Sequence, residues 1–261
     1  MSRRLGILLA VAALITLATT PARAQSAGIN TQSEPVQFKA ADGATIYGVF
    51  YAAKNSSQPM ILLFHQAGSN HYEYADIAPK LVAAGFPCLA IDQRWGGDMW
   101  GHTNDTAQKL GDAKTPRELT GLEADLNAAW DWARKKNPKR RIILWGSSYS
   151  ASLVFVLAAN HPQETAAVLA FSPGEYFQQH PNFVREAAAK VRAPVFVTSE
   201  NDTEALADAT RIFDAVASRD KVHYRAQFAV HGSSTLRTDR NPKGAAANWR
   251  AVMGFLRQFE E

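Results

Sequence analysis

One cysteine, at position 88, stands in 261 residues. A single thiol closes no internal disulfide, so the disulfide-scaffold class is excluded and stability must come from a packed core. A chain of this length can bury a large core as one domain. An excess of one charge sign is lacking too. The formal charge is +4, from 28 Lys and Arg against 24 Asp and Glu. Arg3, Arg4 and Arg23 fall in the first two dozen residues, and without them 25 basic residues face 24 acidic ones. That balance implies neither a nucleic-acid partner nor an anionic membrane. The short basic run from Lys135 to Arg141 reads as a solvated loop between a helix and a strand. There is no His-Glu-x-x-His, no paired-cysteine spacing, no Walker loop and no dinucleotide glycine pattern after a first strand. No metal or organic cofactor is expected.

Long apolar runs are also missing. A spanning helix needs roughly 18 or more apolar residues. The most apolar stretch, Leu5 to Ala18, is shorter, follows Arg3-Arg4 and leads to Ala22-Arg23-Ala24, the small-x-small pattern that a signal peptidase cuts. The sequence therefore predicts a signal peptide over 1–24, a flexible polar leader over 25–33 and a single domain over 34–261. The mature chain is expected to be periplasmic or secreted, with no stable membrane anchor; oligomeric state is not legible.

What is present is an alternation of two periods. Val36 to Tyr51 alternates around Asp42-Gly43, a hairpin pattern. Ile61–Phe64, Cys88–Ile91, Ile142–Trp145, Ala167–Phe171 and Val195–Thr198 are short apolar runs that read as buried parallel strands. Cys88 then reads as a packing residue. Between these runs, Leu119, Leu122, Leu126, Trp130 and Ala133, then Ala205, Ala209, Ile212 and Val216, then Trp249, Val252, Leu256 and Phe259, recur at helical spacing. The segment from Ala151 to Ala159 is apolar nearly all round, as a helix buried under a site would be. Strands alternating with helices predict an α/β fold with a mostly parallel central sheet, helices on both faces and no large lid domain.

Gly146-Ser147-Ser148-Tyr149-Ser150 follows Ile142–Trp145 and precedes that apolar helix. A strand, a sharp turn and a helix are the setting in which a serine becomes a nucleophile. The base and acid it needs should follow as acid and then histidine, each beyond a later strand. Asp202 stands in the turn after Val195–Thr198, with Glu200 as the second choice; Asp202 also suits the cap of the next helix. His231 follows the strand-like run Val222 to Val230. His65, His71, His102, His161, His180 and His223 read as structural or surface residues. The oxyanion donors are expected at Tyr149 and in the loop His65-Gln66-Ala67-Gly68-Ser69, at Ala67 with Gln66 beside it. The long segments Trp95 to Pro116 and Glu175 to Val191 carry Trp95, Trp100 and Tyr176, which suit an apolar substrate pocket or, equally, the anchoring of their loops.

With these pieces in order, the chain from about Glu34 onward resembles the α/β-hydrolase superfamily, and within it the small members grouped with dienelactone hydrolases and serine carboxylesterases. The resemblance rests on His65-Gln66-Ala67-Gly68, Asp92-Gln93-Arg94-Trp95-Gly96-Gly97, the elbow at Ser148, Asp202 and His231. It implies a serine hydrolase acting on a small-molecule carboxylic ester. Three departures stand out: Gln66 where the family usually has glycine, Ser150 at the second elbow glycine, and serine where dienelactone hydrolases proper use a cysteine. The first two motivate a rival expectation, a non-catalytic protein of the same fold that binds a ligand. A peptidase or amidase on the same triad is a third.

Overall fold

The computed structural model of this chain describes residues 32–54, 56–111, 119–177 and 180–260. The expected signal peptide and nearly all of the expected leader lie outside the described residues. Ser33, assigned to the leader by sequence, already belongs to the first strand.

β1 (Ser33–Lys39) and β2 (Thr45–Tyr51) form the hairpin read from the alternation, paired antiparallel from Ser33↔Tyr51 to Lys39↔Thr45. Asp42 Oδ1 accepts the Ala44 N–H within the turn (3.2 Å). In β2 burial alternates along Thr45–Phe50, as a strand with one covered face requires. The next five strands contrast with it: β3 (Met60–Phe64), β4 (Cys88–Asp92), β5 (Ile142–Ser147), β6 (Thr165–Phe171) and β7 (Val195–Ser199) are buried at every residue. Strands covered on both faces need apolar side chains at consecutive positions, which explains their short continuous runs. β8 (Lys221–Arg225) closes the far edge. The sheet order is β1-β2-β4-β3-β5-β6-β7-β8, with β2 antiparallel to β4 and all pairs from β4 to β8 parallel.

Two apolar layers sandwich this sheet, and successive residues of β5 divide between them. Ile142 and Leu144 enter the layer formed with α3 (Leu119–Lys136), α4 (Tyr149–Asn160), α5 (Phe183–Ala188) and α6 (Thr203–Ala215). Ile143 and Trp145 enter the opposite layer with α1 (Ala78–Ala83) and α7 (Ala245–Leu256). There Trp145 stacks on Phe171 at 4.6 Å, and its indole N–H donates to Ser233 Oγ (2.9 Å), so the largest core side chain leaves no buried donor unpaired. α2 (Asp105–Leu110) lies in the long segment after β4, capped by Asn104. α4 is buried from Tyr149 to Ala158, which accounts for its lack of a polar face. Among the described residues there is no separate lid domain.

The last strand is shorter than the strand-like run Val222 to Val230 predicts. β8 stops at Arg225; the Gln227 N–H goes to Asn248 Oδ1 on α7 (2.7 Å), and Phe228 takes a left-handed φ of 48°. With its backbone donor captured by a helix, the chain leaves the sheet before the strand-like run ends.

Candidate active site

β5 ends at Ser147 and α4 begins at Tyr149, so Ser148 alone makes the turn. It does so at φ 57°, ψ −125°. A non-glycine residue held there stores on the order of 1–3 kcal/mol, which the surroundings must over-determine. The Ser148 N–H is held by Phe171 O at 2.8 Å. Gly146 lets the helix cross directly over the strand: a Cβ there would lie 2.3 Å from Ser150 O. Ser150, at the second glycine position of the elbow, is fully buried and used. Its hydroxyl donates to His65 O (2.6 Å) and accepts from Gln93 Nε2 (3.0 Å), tying the elbow to the loop after β3.

His231 Nε2 lies 2.7 Å from Ser148 Oγ. Its other ring nitrogen, Nδ1, bonds Glu200 Oε1. Glu200 Oε2 accepts the Ser172 hydroxyl, and Ser172 Oγ accepts the Gly232 N–H at 2.9 Å. Gly232 sits at φ 63°, and a Cβ on it would meet Ser147 Oγ at 2.2 Å, so the histidine loop can approach the elbow only with glycine there. The Glu200 bond is the main influence on His231 and raises its pKa above the ordinary value, with burial opposing and the charges of Glu73 and Asp202 assisting. Burial alone would lift the Glu200 carboxyl, but bonds from His231 and Ser172 outweigh it and hold the group below its usual range. A hydroxyl, an imidazole and an ionised carboxylate in a row can draw a proton from the hydroxyl and stabilise the resulting imidazolium.

Asp202, the acid expected from sequence, is not in that row. It is exposed and caps α6, its Oδ1 accepting the Ala205 N–H at 3.0 Å. The physical reason is position along the turn. Glu200 is the first residue past β7 and still faces the sheet rim. Two residues later the chain has swung into the helix, and the first free N–H groups of α6 take the Asp202 carboxylate.

The loop after β3 treats its two expected donors differently. The Gln66 N–H is consumed by Glu73 Oε2 (2.9 Å), whereas Ala67 is exposed and no acceptor takes its N–H among the described residues. Tyr149, the first residue of α4, has an N–H with no carbonyl inside its helix. His65 is fully buried and serves the loop: Nδ1–H donates to Gln66 O (2.7 Å) and Nε2 accepts the Gln93 N–H (2.9 Å). Burial lowers its pKa to about 4, so it stays neutral.

The three aromatics expected in a pocket separate. The Tyr176 hydroxyl donates to the carbonyl of Ser172 (2.8 Å), the residue whose own hydroxyl bonds Glu200. Trp95 packs against the α3–α6 layer. The Trp100 indole donates to Ser69 Oγ (2.9 Å) and is covered by the Arg237 guanidinium at 4.4 Å. The two tryptophans are anchors of their segment. Sequence reading also passed over Ser172 and Glu73. Both lie outside any motif, and their contacts exist only once distant loops converge. The one signal was a glutamate set among aromatics in His71-Tyr72-Glu73-Tyr74.

A sheet of this order, carrying a serine elbow after its central strand, defines the α/β-hydrolase class. The family described as serine aminopeptidase, S33, matches residues 55–241, and the chain belongs to it. Among curated proteins, the quorum-quenching protein AidA of Acinetobacter baumannii is 28% identical over 144 residues, covering 53% of this chain and 43% of that protein, so the match spans less than half of its length. Among solved structures, a dienelactone hydrolase from Anabaena variabilis superposes with a TM-score of 0.70 at 18% identity, covering 88% of this chain and 99% of that one. An esterase from Pyrococcus furiosus does so with a TM-score of 0.65 at 17% identity, covering 89% and 95%. At such identities these two speak for the fold.

Proposed function

We propose that the protein is an exported serine hydrolase that cleaves a small carboxylic ester through an acyl-enzyme. The observation that carries this reading is the 2.7 Å contact between His231 Nε2 and Ser148 Oγ, with Glu200 on the opposite ring nitrogen. His231 takes the Ser148 proton as Oγ attacks the ester carbonyl. Glu200 keeps the Nδ1–H tautomer and offsets the charge of the imidazolium. The Ala67 and Tyr149 N–H groups receive the oxyanion. The C–O bond to the alcohol breaks, and His231 returns the proton to that oxygen. Water, deprotonated by His231, then releases the acid and restores Ser148.

The test is a short-chain aryl ester with wild type and Ser148→Ala. Expected is loss of turnover by several orders of magnitude, with fluorophosphonate labelling of the wild type only. Wild-type turnover in the variant would end the reading, and labelling of Ser148 excludes the purely ligand-binding alternative. The family description favours one second reading, an aminopeptidase on the same three residues. Matched ester, amide and aminoacyl substrates separate the two, and the likeness to AidA places quorum-signal molecules in the same panel. Export rests on the N-terminal pattern of Arg3-Arg4, the apolar run and Ala22-Arg23-Ala24. Protein recovered outside the cytoplasm should begin at Gln25, and an intact Met1 there would refute cleavage.

A further inference from the structure

Glu73 is a fully buried carboxylate that the steps above leave unused. It sits in the short 3-10 helix His71–Tyr74. Its Oε1 accepts the Ser147 hydroxyl (2.6 Å) and its Oε2 accepts the Gln66 N–H (2.9 Å). Ser147 Oγ in turn accepts the Ser233 N–H (2.9 Å). Each of these contacts is one or two residues from a reacting group: Gln66 precedes Ala67, Ser147 precedes Ser148, and Ser233 follows His231 by two. Both carboxylate oxygens accept, a pattern that suits the ionised form. The Arg237 guanidinium adds positive charge nearby while donating to the backbone carbonyls of Tyr72 and Glu73 (3.0 and 3.1 Å).

We propose that Glu73 is a positioning residue for ester hydrolysis: one buried negative charge that holds the oxyanion loop, the nucleophile elbow and the histidine loop in mutual register and favours the imidazolium formed during attack. The inference rests on the Ser148–His231 reading. Its first effect is geometric. Glu73 fixes Gln66 through its N–H, while the next peptide, which carries the Ala67 N–H, is held through Gln66 O by His65 Nδ1 and the Ser69 N–H; Glu73 thus anchors one side of the residue that precedes the donor. Its second effect is electrostatic. The acidic groups acting on His231 are Glu200 through a hydrogen bond, and Glu73 and Asp202 through space. The groups facing Glu73 are Ser147, Gln66, His231, Arg237 and the phenol of Tyr74. Burial pushes its carboxyl pKa up, with the bonds from Ser147 and Gln66 and the charges of His231 and Arg237 opposing.

The experiment compares wild type with the near-isosteric Glu73→Gln on one ester, by kcat, KM and the pH profile of kcat/KM. Losing an oxyanion donor outright costs roughly 10²–10³ in kcat; loosening one should cost about tenfold. Expected is that fall with KM nearly constant, and an acid limb moved to lower pH, because removing a negative charge lowers the pKa of His231. A purely structural role would not move the limb. A kcat within about twofold of wild type, with the limb in place, overturns the proposal. Should Glu73→Gln fail to fold, Ser147→Ala cuts one link and leaves the carboxylate: a lowered kcat at constant KM, with the acid limb unmoved, supports the proposal, and wild-type kcat overturns it. An unlabelled, inactive wild type would instead defeat the parent reading, so the two failures are distinguishable.

Discussion

Glu200 and Asp202 are two residues apart, and the difference between them is a matter of what each carboxylate can reach. Glu200 has the imidazole of His231 and the hydroxyl of Ser172; Asp202 has the N-terminus of α6. Glu200→Gln should therefore lower kcat by about 10⁴, the scale seen when the orienting acid of such a triad is neutralised. Asp202→Ala should leave kcat near wild type and cost about 1 kcal/mol in denaturant stability, the usual value of a helix cap. The opposite pattern of losses would hand the role back to Asp202. The sign of the pH effect follows from the same contact. His231 must be neutral to accept a proton, and Glu200 raises its pKa, so the acid limb of kcat/KM should lie above the ordinary histidine value of 6.5. At this scale the sequence was partly legible. Ser148 and His231 were marked by order and setting. An aspartate in a strand-to-helix turn satisfies the motif and the cap equally well, so the sequence favours Asp202 where the structure brings Glu200 to His231. Glu73 was invisible because nothing local distinguishes a surface glutamate from one enclosed by three loops.

At the scale of elements, the strands were the most readable part, since a strand covered on both faces has no polar positions to interrupt it. Their ends were less readable. β8 is cut short where Asn248 captures the backbone at Gln227, a contact made by a helix more than twenty residues further on. The elbow is likewise an agreement between elements. α4 crosses β5 so closely that Gly146→Ala would drive a methyl into Ser150 O. The expected result is a loss of roughly 1–3 kcal/mol, as for other overpacked sites, together with loss of fluorophosphonate labelling as the helix shifts. Full labelling at unchanged stability would show that the crossing has slack. Ser150 at the second glycine position points to a tight elbow, because its hydroxyl bridges α4 to His65 and Gln93.

For the whole molecule, the order of elements was the strongest guide to architecture. Short apolar runs separated by amphipathic segments leave few arrangements other than a parallel sheet between helical layers. What sequence order does not convey is that four separate segments, those of residues 66–73, 147–148, 200 and 231–233, close on one another at one rim of that sheet. Neither layer needs a covalent staple, and the chain supplies none. Its one sulfhydryl, on Cys88, is fully enclosed in β4 and donates to Phe86 O (3.3 Å). A thiol-specific reagent can reach that sulfur only when the middle of the sheet comes apart. The protein is thus born with a single-site reporter of its own opening, so the rate at which the interior breathes can be timed without adding a label or altering a residue.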